Sequence, residues 1–191
     1  MFTGIVESTG SVVSLDGDIL KIETENKKFF NLEIGTSIAI DGCCLTLKNY
    51  DNDLLSFQVS YETLSRTSLI NNHCGYVNME LPLTMNTLLS GHLVQGHVDG
   101  VINIKGIEKL DSELWTFTFD QANKKYLVDK GSITINGISL TVVDPDKDKF
   151  SVAVIEETFN RTNLKHLTVD DSVNVEYDIV IKYLEKLNYD N

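Results

Sequence analysis

Residues 36–47, TSIAIDGCCLTL, return at 131–142 as GSITINGISLTV, ninety-five positions later and with six identities in twelve. At the same offset ETLSRTSL (62–69) returns as ETFNRTNL (157–164), with five identities in eight. VNME (77–80) recurs as VNVE (173–176) at an offset of 96, and TGIVE (3–7) as QGHVD (95–99) at an offset of 92. Eleven identities in twenty gapless positions compare with about one expected by chance, and the order of segments is kept. The chain is a tandem duplication of a unit of about ninety residues. In 191 residues this leaves space for two like domains and little else.

Charge and cysteine usage narrow the class of partner. The net charge is −12, and the sixteen Lys and Arg residues are spread thinly. A nucleic-acid or anionic-membrane partner is therefore disfavoured. The start, MFTGIVE, has neither a basic nor an apolar signal region, and no apolar run approaches a membrane span. Three cysteines, two of them adjacent, make neither a disulfide framework nor a zinc spacing. We expect a cytoplasmic protein with reduced thiols and no metal.

Within each unit, short runs of Val, Ile, Thr, Tyr and Phe alternate with turn signals, which predicts small antiparallel barrels or sandwiches. Both copies of the repeated phrase place Asp-Gly or Asn-Gly between alternating runs, a two-residue hairpin signal. Alternation puts Ile38, Ile40, Cys43, Leu45 and Leu47 on the core face, and likewise Ile133, Ile135, Ile138, Leu140 and Val142. Cys43 thus stands where Ile138 packs. Cys44 and Thr46, with Ser139 and Thr141, fall on the opposite face. Spacing leaves two readings of that face: a solvated strand surface, or a polar patch that binds something between barrels. Residues 84–93 read as a short connector. From Ile179 onward, Val180, Tyr183, Leu184 and Leu187 form one helical apolar face, which must pack on its own barrels or on a neighbour. Asp178 is a ready N-cap for that helix. His92 reads as structural. Lys130 reads as solvated, and Arg66 and Arg161 as partners of Glu62 and Glu157 on bends.

Taken together, MFTGIVE, GCCLTL, ETLSRT, GHLVQGHVDG (91–100), KGSITINGISLTVV, ETFNRTNL and VNVEYD resemble the trimeric, alpha-chain riboflavin synthase family over essentially the whole chain. The resemblance implies an all-β fold of two tandem pseudo-symmetric six-stranded Greek-key β-barrels followed by a C-terminal helix. The domains would be residues 1–91 and 92–178, each binding a lumazine, and a trimerisation helix at 179–191. The implied reaction is a dismutation of two 6,7-dimethyl-8-ribityllumazine molecules, giving riboflavin and 5-amino-6-(D-ribitylamino)uracil without a cofactor. The implied assembly is a homotrimer, with lumazine synthase as a candidate partner and no nucleic acid or membrane. The productive site would pair the N-terminal barrel of one subunit with the C-terminal barrel of another.

Carried over position by position, the resemblance gives the first pocket Gly4, Ile5, Val6, Cys44, Leu45 and Thr46. To these it adds a strand of Gln58, Val59, Ser60, Tyr61, Glu62 and Thr63. The second pocket receives Gly96, His97, Val98, Lys130, Ser139, Leu140 and Thr141. Its strand is Ala153, Val154, Ile155, Glu156, Glu157 and Thr158. Much of this binding in the family is by backbone groups. For chemistry the resemblance points to Phe2, Ser37, Cys44, His97, Ser139 and Asp178. Ser139, with Asp178, is placed on the proton-transfer side, with Cys44 across from it on a neighbouring subunit. Glu156 stands where the family commonly has proline, which puts the local backbone shape in question. The rival readings are a non-catalytic lumazine protein that carries a fluorophore, and a flavin-binding reductase domain. The latter needs a nucleotide-binding domain for which the repeat leaves no room.

Overall fold

Asp41-Gly42 and Asn136-Gly137 turn the chain with positive φ at both residues, 45° and 74° in the first pair and 44° and 78° in the second. This is the backbone twist that a two-residue hairpin needs, and glycine meets it without steric cost. Each turn joins a pair of strands whose alternate side chains are buried, and around each hairpin a barrel closes. The computed structural model describes residues 1–71, 74–110, 113–120 and 123–189.

In the first barrel the strands are β1 (Ser8–Asp16), β2 (Ile19–Glu23), β3 (Ser37–Ile40), β4 (Cys43–Asp51), β5 (Leu54–Gln58) and β6 (Tyr76–Glu80). A short helix, α1 (Tyr61–Arg66), lies between β5 and β6. The second barrel has β7 (Gly100–Leu110), β8 (Leu114–Asp120), β9 (Ser132–Ile135), β10 (Ile138–Val143), β11 (Lys149–Ile155) and β12 (Ser172–Tyr177), with α2 (Glu156–Arg161) after β11. Both sheets close in the same order: β1-β2-β5-β4-β3-β6, and its counterpart β7-β8-β11-β10-β9-β12. The duplicated sequence therefore gives a duplicated Greek-key barrel, and every pairing is antiparallel. A terminal helix, α3 (Ile179–Tyr189), follows β12. The last two residues of the helix expected from the sequence, 190 and 191, lie outside the described residues.

Each barrel has its own core. Leu20, Ile22, Phe29, Leu47, Leu55 and Phe57 are fully buried in the first, as are Ile104, Phe117, Phe119 and Val173 in the second. Such side chains contribute roughly 1.5–3 kcal/mol each. Cys43 sits in the first core and Ile138 in the second, as the alternation predicts. Burial pushes the Cys43 thiol up to about 12, so it packs as an inert hydrophobe.

The barrels meet at the two hairpin tips. A Cβ on Gly42 would lie 2.7 Å from the Gly137 nitrogen, and one on Gly137 would lie 2.7 Å from the Gly42 nitrogen. Asn78 Nδ2 donates to the Asn136 carbonyl at 2.9 Å, and Asn174 Nδ2 donates to the Asp41 carbonyl at 2.9 Å. Each barrel's last strand thus holds the other barrel's turn, which makes the junction pseudo-twofold.

Candidate functional site

The outer face of each hairpin is covered by a crossing segment of irregular chain. Residues 1–4 and 91–95 run antiparallel: Phe2 and Val94 exchange backbone hydrogen bonds at 2.7 and 3.1 Å, and the His92 N–H donates to the Thr3 carbonyl at 3.1 Å. The stretch read from sequence as a plain connector is therefore part of the barrel junction from residue 91 onward. A buried carboxylate clamps each crossing segment to its own barrel. Glu80 accepts from the Thr3 N–H and hydroxyl, both at 2.7 Å, and from the Gly4 N–H at 3.0 Å. Glu176 accepts from the Gln95 and His97 N–H groups at 2.7 and 2.8 Å. Burial raises both carboxyls, and these donors oppose the shift.

From these clamps each segment reaches across to the opposite barrel. The Ser139 N–H donates to the Gly4 carbonyl and the Cys44 N–H to the Gly96 carbonyl, both at 2.8 Å. The approach is close enough to demand glycine. A Cβ at Gly4 would stand 2.6 Å from Ser139 Cβ, and one at Gly96 would stand 2.6 Å from Cys44 Cβ. Val6 then packs against the second core and Val98 against the first. This corrects the pocket assignment made from sequence. Within one chain Gly4, Ile5 and Val6 lie with Ser139, and Gly96, His97 and Val98 lie with Cys44. Local alignment cannot reveal that the segments exchange places.

The cleft beside Ser139 encloses about 180 Å³ and is lined by Gly4, Ile5, Val6, Ile138, Ser139, Glu157, Thr158, Arg161 and Thr162. His92, outside that lining, meets the same serine: Nδ1 lies 2.7 Å from Ser139 Oγ, and Nε2 lies 3.2 Å from Thr134 Oγ1. Burial lowers the pKa of His92, with the Asp178 carboxylate opposing the shift, which favours the neutral ring. His92 is the residue that sequence reasoning set aside as structural. Thr134, paired with Ser139 in the β9–β10 ladder, was not singled out. The available signal was the non-matching pair Thr134 and Ala39 within the repeat.

On the first barrel, Cys44 pairs with Ala39 and Thr46 pairs with Ser37 and Gln58, so these share one outer strip. Phe2, fully buried, packs with Ala39, Val94 and Cys44. Gln58 Nε2 donates to Asp18 at 2.8 Å. The side chains of Leu45, Val59, Leu140 and Val154 are buried in the barrel cores, so these residues can offer a ligand only backbone groups. His97 and Lys130 are exposed, and Lys130, at φ 61°, is absent from the lining of the Ser139 cleft. Thr141 is exposed beyond Ser139 on β10.

Two expected strands end early. β5 stops at Gln58, and Tyr61, Glu62 and Thr63 belong to α1; β11 stops at Ile155, and Glu156, Glu157 and Thr158 open α2. The helices form because Ser60 caps the Thr63 N–H at 3.1 Å, and because Glu62–Arg66 and Glu157–Arg161 pair at i,i+4. Arg66 and Arg161 thus pair with the predicted carboxylates, but on helices rather than bends. Glu156 is the first residue of α2, where proline and an acidic residue are both favoured, so its exchange for proline keeps the local backbone. Asp178 Oδ1 accepts the Val180 N–H at 2.9 Å and caps α3, while its charge bears on His92.

Comparison with known proteins gives this geometry a context. The profile of the Lumazine binding domain matches residues 3–81 and again 95–178. Proteins named riboflavin synthase are similar throughout. That of Actinobacillus pleuropneumoniae is 37% identical over 97% of this chain and 89% of its own length. That of Bacillus subtilis (strain 168) is 35% identical over 96% and 88%, and that of Schizosaccharomyces pombe 38% over 98% and 93%. Among solved structures, LumP complexed with riboflavin superposes with a TM-score of 0.83 at 23% identity, covering 93% of this chain and 99% of that one. LumP complexed with 6,7-dimethyl-8-(1'-D-ribityl) lumazine gives 0.81 at 24%, covering 92% and 98%.

Proposed function

We infer that this chain, which belongs to the lumazine binding domain family and is related over nearly its full length to riboflavin synthases, is itself a riboflavin synthase. Its substrate is a lumazine. Two molecules of 6,7-dimethyl-8-ribityllumazine react, one giving a four-carbon unit to the other, and yield riboflavin and 5-amino-6-(D-ribitylamino)uracil. The observation that carries this reading is the duplicated hairpin, which presents Cys44 on one outer face and Ser139, beside a cleft of about 180 Å³, on the other. A reaction between two copies of one compound calls for two similar pockets. Holding both heterocycles in register makes the encounter effectively intramolecular, a gain of about 7–11 kcal/mol.

The Ser139 pocket would use the Gly4–Val6 segment, Ser139 to Thr141 and the start of α2. The Cys44 pocket would use Gly96, His97 and Val98, Cys44 to Thr46 and the turn into α1. Backbone groups supply much of the binding, consistent with the buried side chains of Leu45 and Leu140. Lys130 would reach a ligand only from another subunit. We assign the trimer contact to α3, whose Val180, Tyr183, Leu184 and Leu187 are each more than half exposed. The productive site would then join the Cys44 pocket of one subunit to the Ser139 pocket of the next. A cytoplasmic location accords with unbridged thiols at the adjacent Cys43 and Cys44, and lumazine synthase is a candidate partner.

The likeness to LumP favours a second reading, a carrier that binds lumazine without converting it. Incubation with the lumazine alone separates the two. Riboflavin absorbance appearing with one riboflavin per two lumazines consumed supports the synthase, and stable binding without product supports the carrier. Removal of α3 tests the assembly: a fall in mass from trimer to monomer is expected.

A further inference from the structure

The duplication carries a carboxylate at the end of each crossing segment, Glu7 in the first half and Asp99 in the second. Their backbone settings match: the Glu7 N–H donates to the Met79 carbonyl at 3.0 Å, and the Asp99 N–H to the Val175 carbonyl at 2.9 Å. Their side chains match too, since Glu7 accepts the Leu81 N–H at 3.2 Å and Asp99 accepts the Tyr177 N–H at 2.8 Å. The cations that meet them differ. Glu7 pairs at 3.2 Å with Lys28, on a 3-10 turn (Lys27–Phe30) before β3. The matching turn before β9 is Lys124–Tyr126, and its Lys125 pairs instead with Glu185 on α3, at 2.5 Å. Lys182, also on α3, supplies the cation for Asp99, at 2.5 Å. The terminal helix thus enters an ion pair that the first barrel makes within itself. We propose that Lys182 is a positioning residue for the Cys44 pocket: through Asp99 and Glu176 it ties α3 to the Gly96–Val98 segment, so that α3 sets the shape of that pocket.

The two ion pairs differ in setting. The side chains of Lys182 and Asp99 are 19% and 29% exposed, against 69% and 26% for Lys28 and Glu7. A pair with a solvated ammonium is worth little, whereas truncating one member of a shielded pair leaves the other charge uncompensated. Lys182 bears on a second carboxylate as well. Burial raises the Glu176 carboxyl; the Gln95 N–H and the Lys182 charge oppose the shift, and Asp99 adds to it. Without Lys182, Asp99 and Glu176 would face each other at the end of β12 as like charges. The Gln95 and His97 N–H groups are held by Glu176 at 2.7 and 2.8 Å. The Gly96 carbonyl between them holds the Cys44 N–H at 2.8 Å. Contacts therefore run without a break from α3 to Cys44 inside one subunit. For what the pocket binds, the inference rests on the synthase reading above.

Amide hydrogen exchange of the whole chain tests this without a ligand, and the other half of the duplication is the control. Lys182→Met keeps the aliphatic stem and removes the charge. It should speed exchange at Gln95, His97 and Cys44 by about tenfold. Thr3, Gly4 and Ser139, held by Glu80 and the Gly4 carbonyl, should stay within about threefold of wild type. Lys182→Arg should restore protection. Asp99→Asn keeps an acceptor for the Tyr177 N–H and should loosen the same three amides; it carries the test if Lys182→Met does not fold. Lys28→Met should leave all of these amides within about threefold. With 6,7-dimethyl-8-ribityllumazine as substrate, Lys182→Met should raise KM by about tenfold and keep kcat within about threefold, because bound substrate restores the segment it needs. Equal loosening of both sets of amides, unchanged protection in both Lys182→Met and Asp99→Asn, or faster exchange with an unaltered KM would each overturn the proposal. So would lost protection together with a fall in assembly mass, since a partner subunit would then be holding the segment. A wild-type protein that makes no riboflavin, with the exchange pattern as expected, refutes the synthase reading and leaves the hold of Lys182 on the segment intact.

Discussion

The hairpin of β3 and β4 and that of β9 and β10 share turn type, register and position at the barrel junction, yet their substituted residues serve different ends. Asp41 and Asn136 hold the same turn: each side-chain oxygen accepts the N–H of the facing β6 or β12 asparagine, at 2.7 Å from Asn78 and 2.8 Å from Asn174. Only one of them can ionise. Asn163 faces Asp41 with its side-chain amide at 3.0 Å, while its counterpart Ser68 turns to Asn174. A duplicated fold keeps what closes the barrel and varies what faces the ligand or the junction. Symmetry of backbone and asymmetry of chemistry coexist because strand geometry fixes positions, not side-chain identity.

The largest effect is expected where the symmetry is tightest. Gly42→Ala or Gly137→Ala places a Cβ within 2.7 Å of the other turn's backbone at a positive φ. We expect each to cost about 3–5 kcal/mol in denaturant unfolding, by clash and by strain together. Equal tolerance to alanine at both sites would show that the tips do not touch.

The next test separates the two turns by charge. Burial raises the Asp41 carboxyl to about 8, with its Asn78 and Asn163 hydrogen bonds opposing the shift. The folded protein therefore keeps a proton that the unfolded chain releases near its ordinary value of 3.8. This contribution is fully present below that value and is lost as pH rises toward about 8. Between pH 6 and 8 the loss amounts to roughly 2 kcal/mol, and Asp41→Asn should abolish it. Melting curves of wild type and variant at the two pH values measure the difference. Parallel pH dependence would place the ionising group elsewhere.

A smaller contrast lies between neighbours in sequence. Cys43→Ser puts a hydroxyl into the first core and should cost about 2 kcal/mol. Cys44→Ser, on the outer face and matching Ser139, should change stability by no more than about 0.5 kcal/mol. Equal thermal shifts would contradict the opposite facing of the two thiols.

How much of this was legible in sequence depended on the range of the interactions. The repeat, the hairpins and the opposite faces of Cys43 and Cys44 follow from local alternation and turn chemistry, and the structure places them so. The starts of α1 and α2 were read as strand because Gln58–Thr63 and Ala153–Thr158 continue a β-like pattern; the cap at Ser60 and the i,i+4 pairs decide otherwise. The exchange of Gly4–Val6 with Gly96–Val98 was hidden, since it depends on Glu80 and Glu176 clamping irregular chain across the junction. VNME and VNVE contained the clue, a carboxylate repeated at the end of a buried strand. His92 escaped because its partners Ser139 and Thr134 are more than forty positions away.

Incubation of the purified protein with 6,7-dimethyl-8-ribityllumazine as sole substrate tests the central claim most directly. The account predicts riboflavin and 5-amino-6-(D-ribitylamino)uracil in equal amounts, one of each for every two lumazines consumed. Tight binding of the lumazine with no riboflavin formed would contradict it.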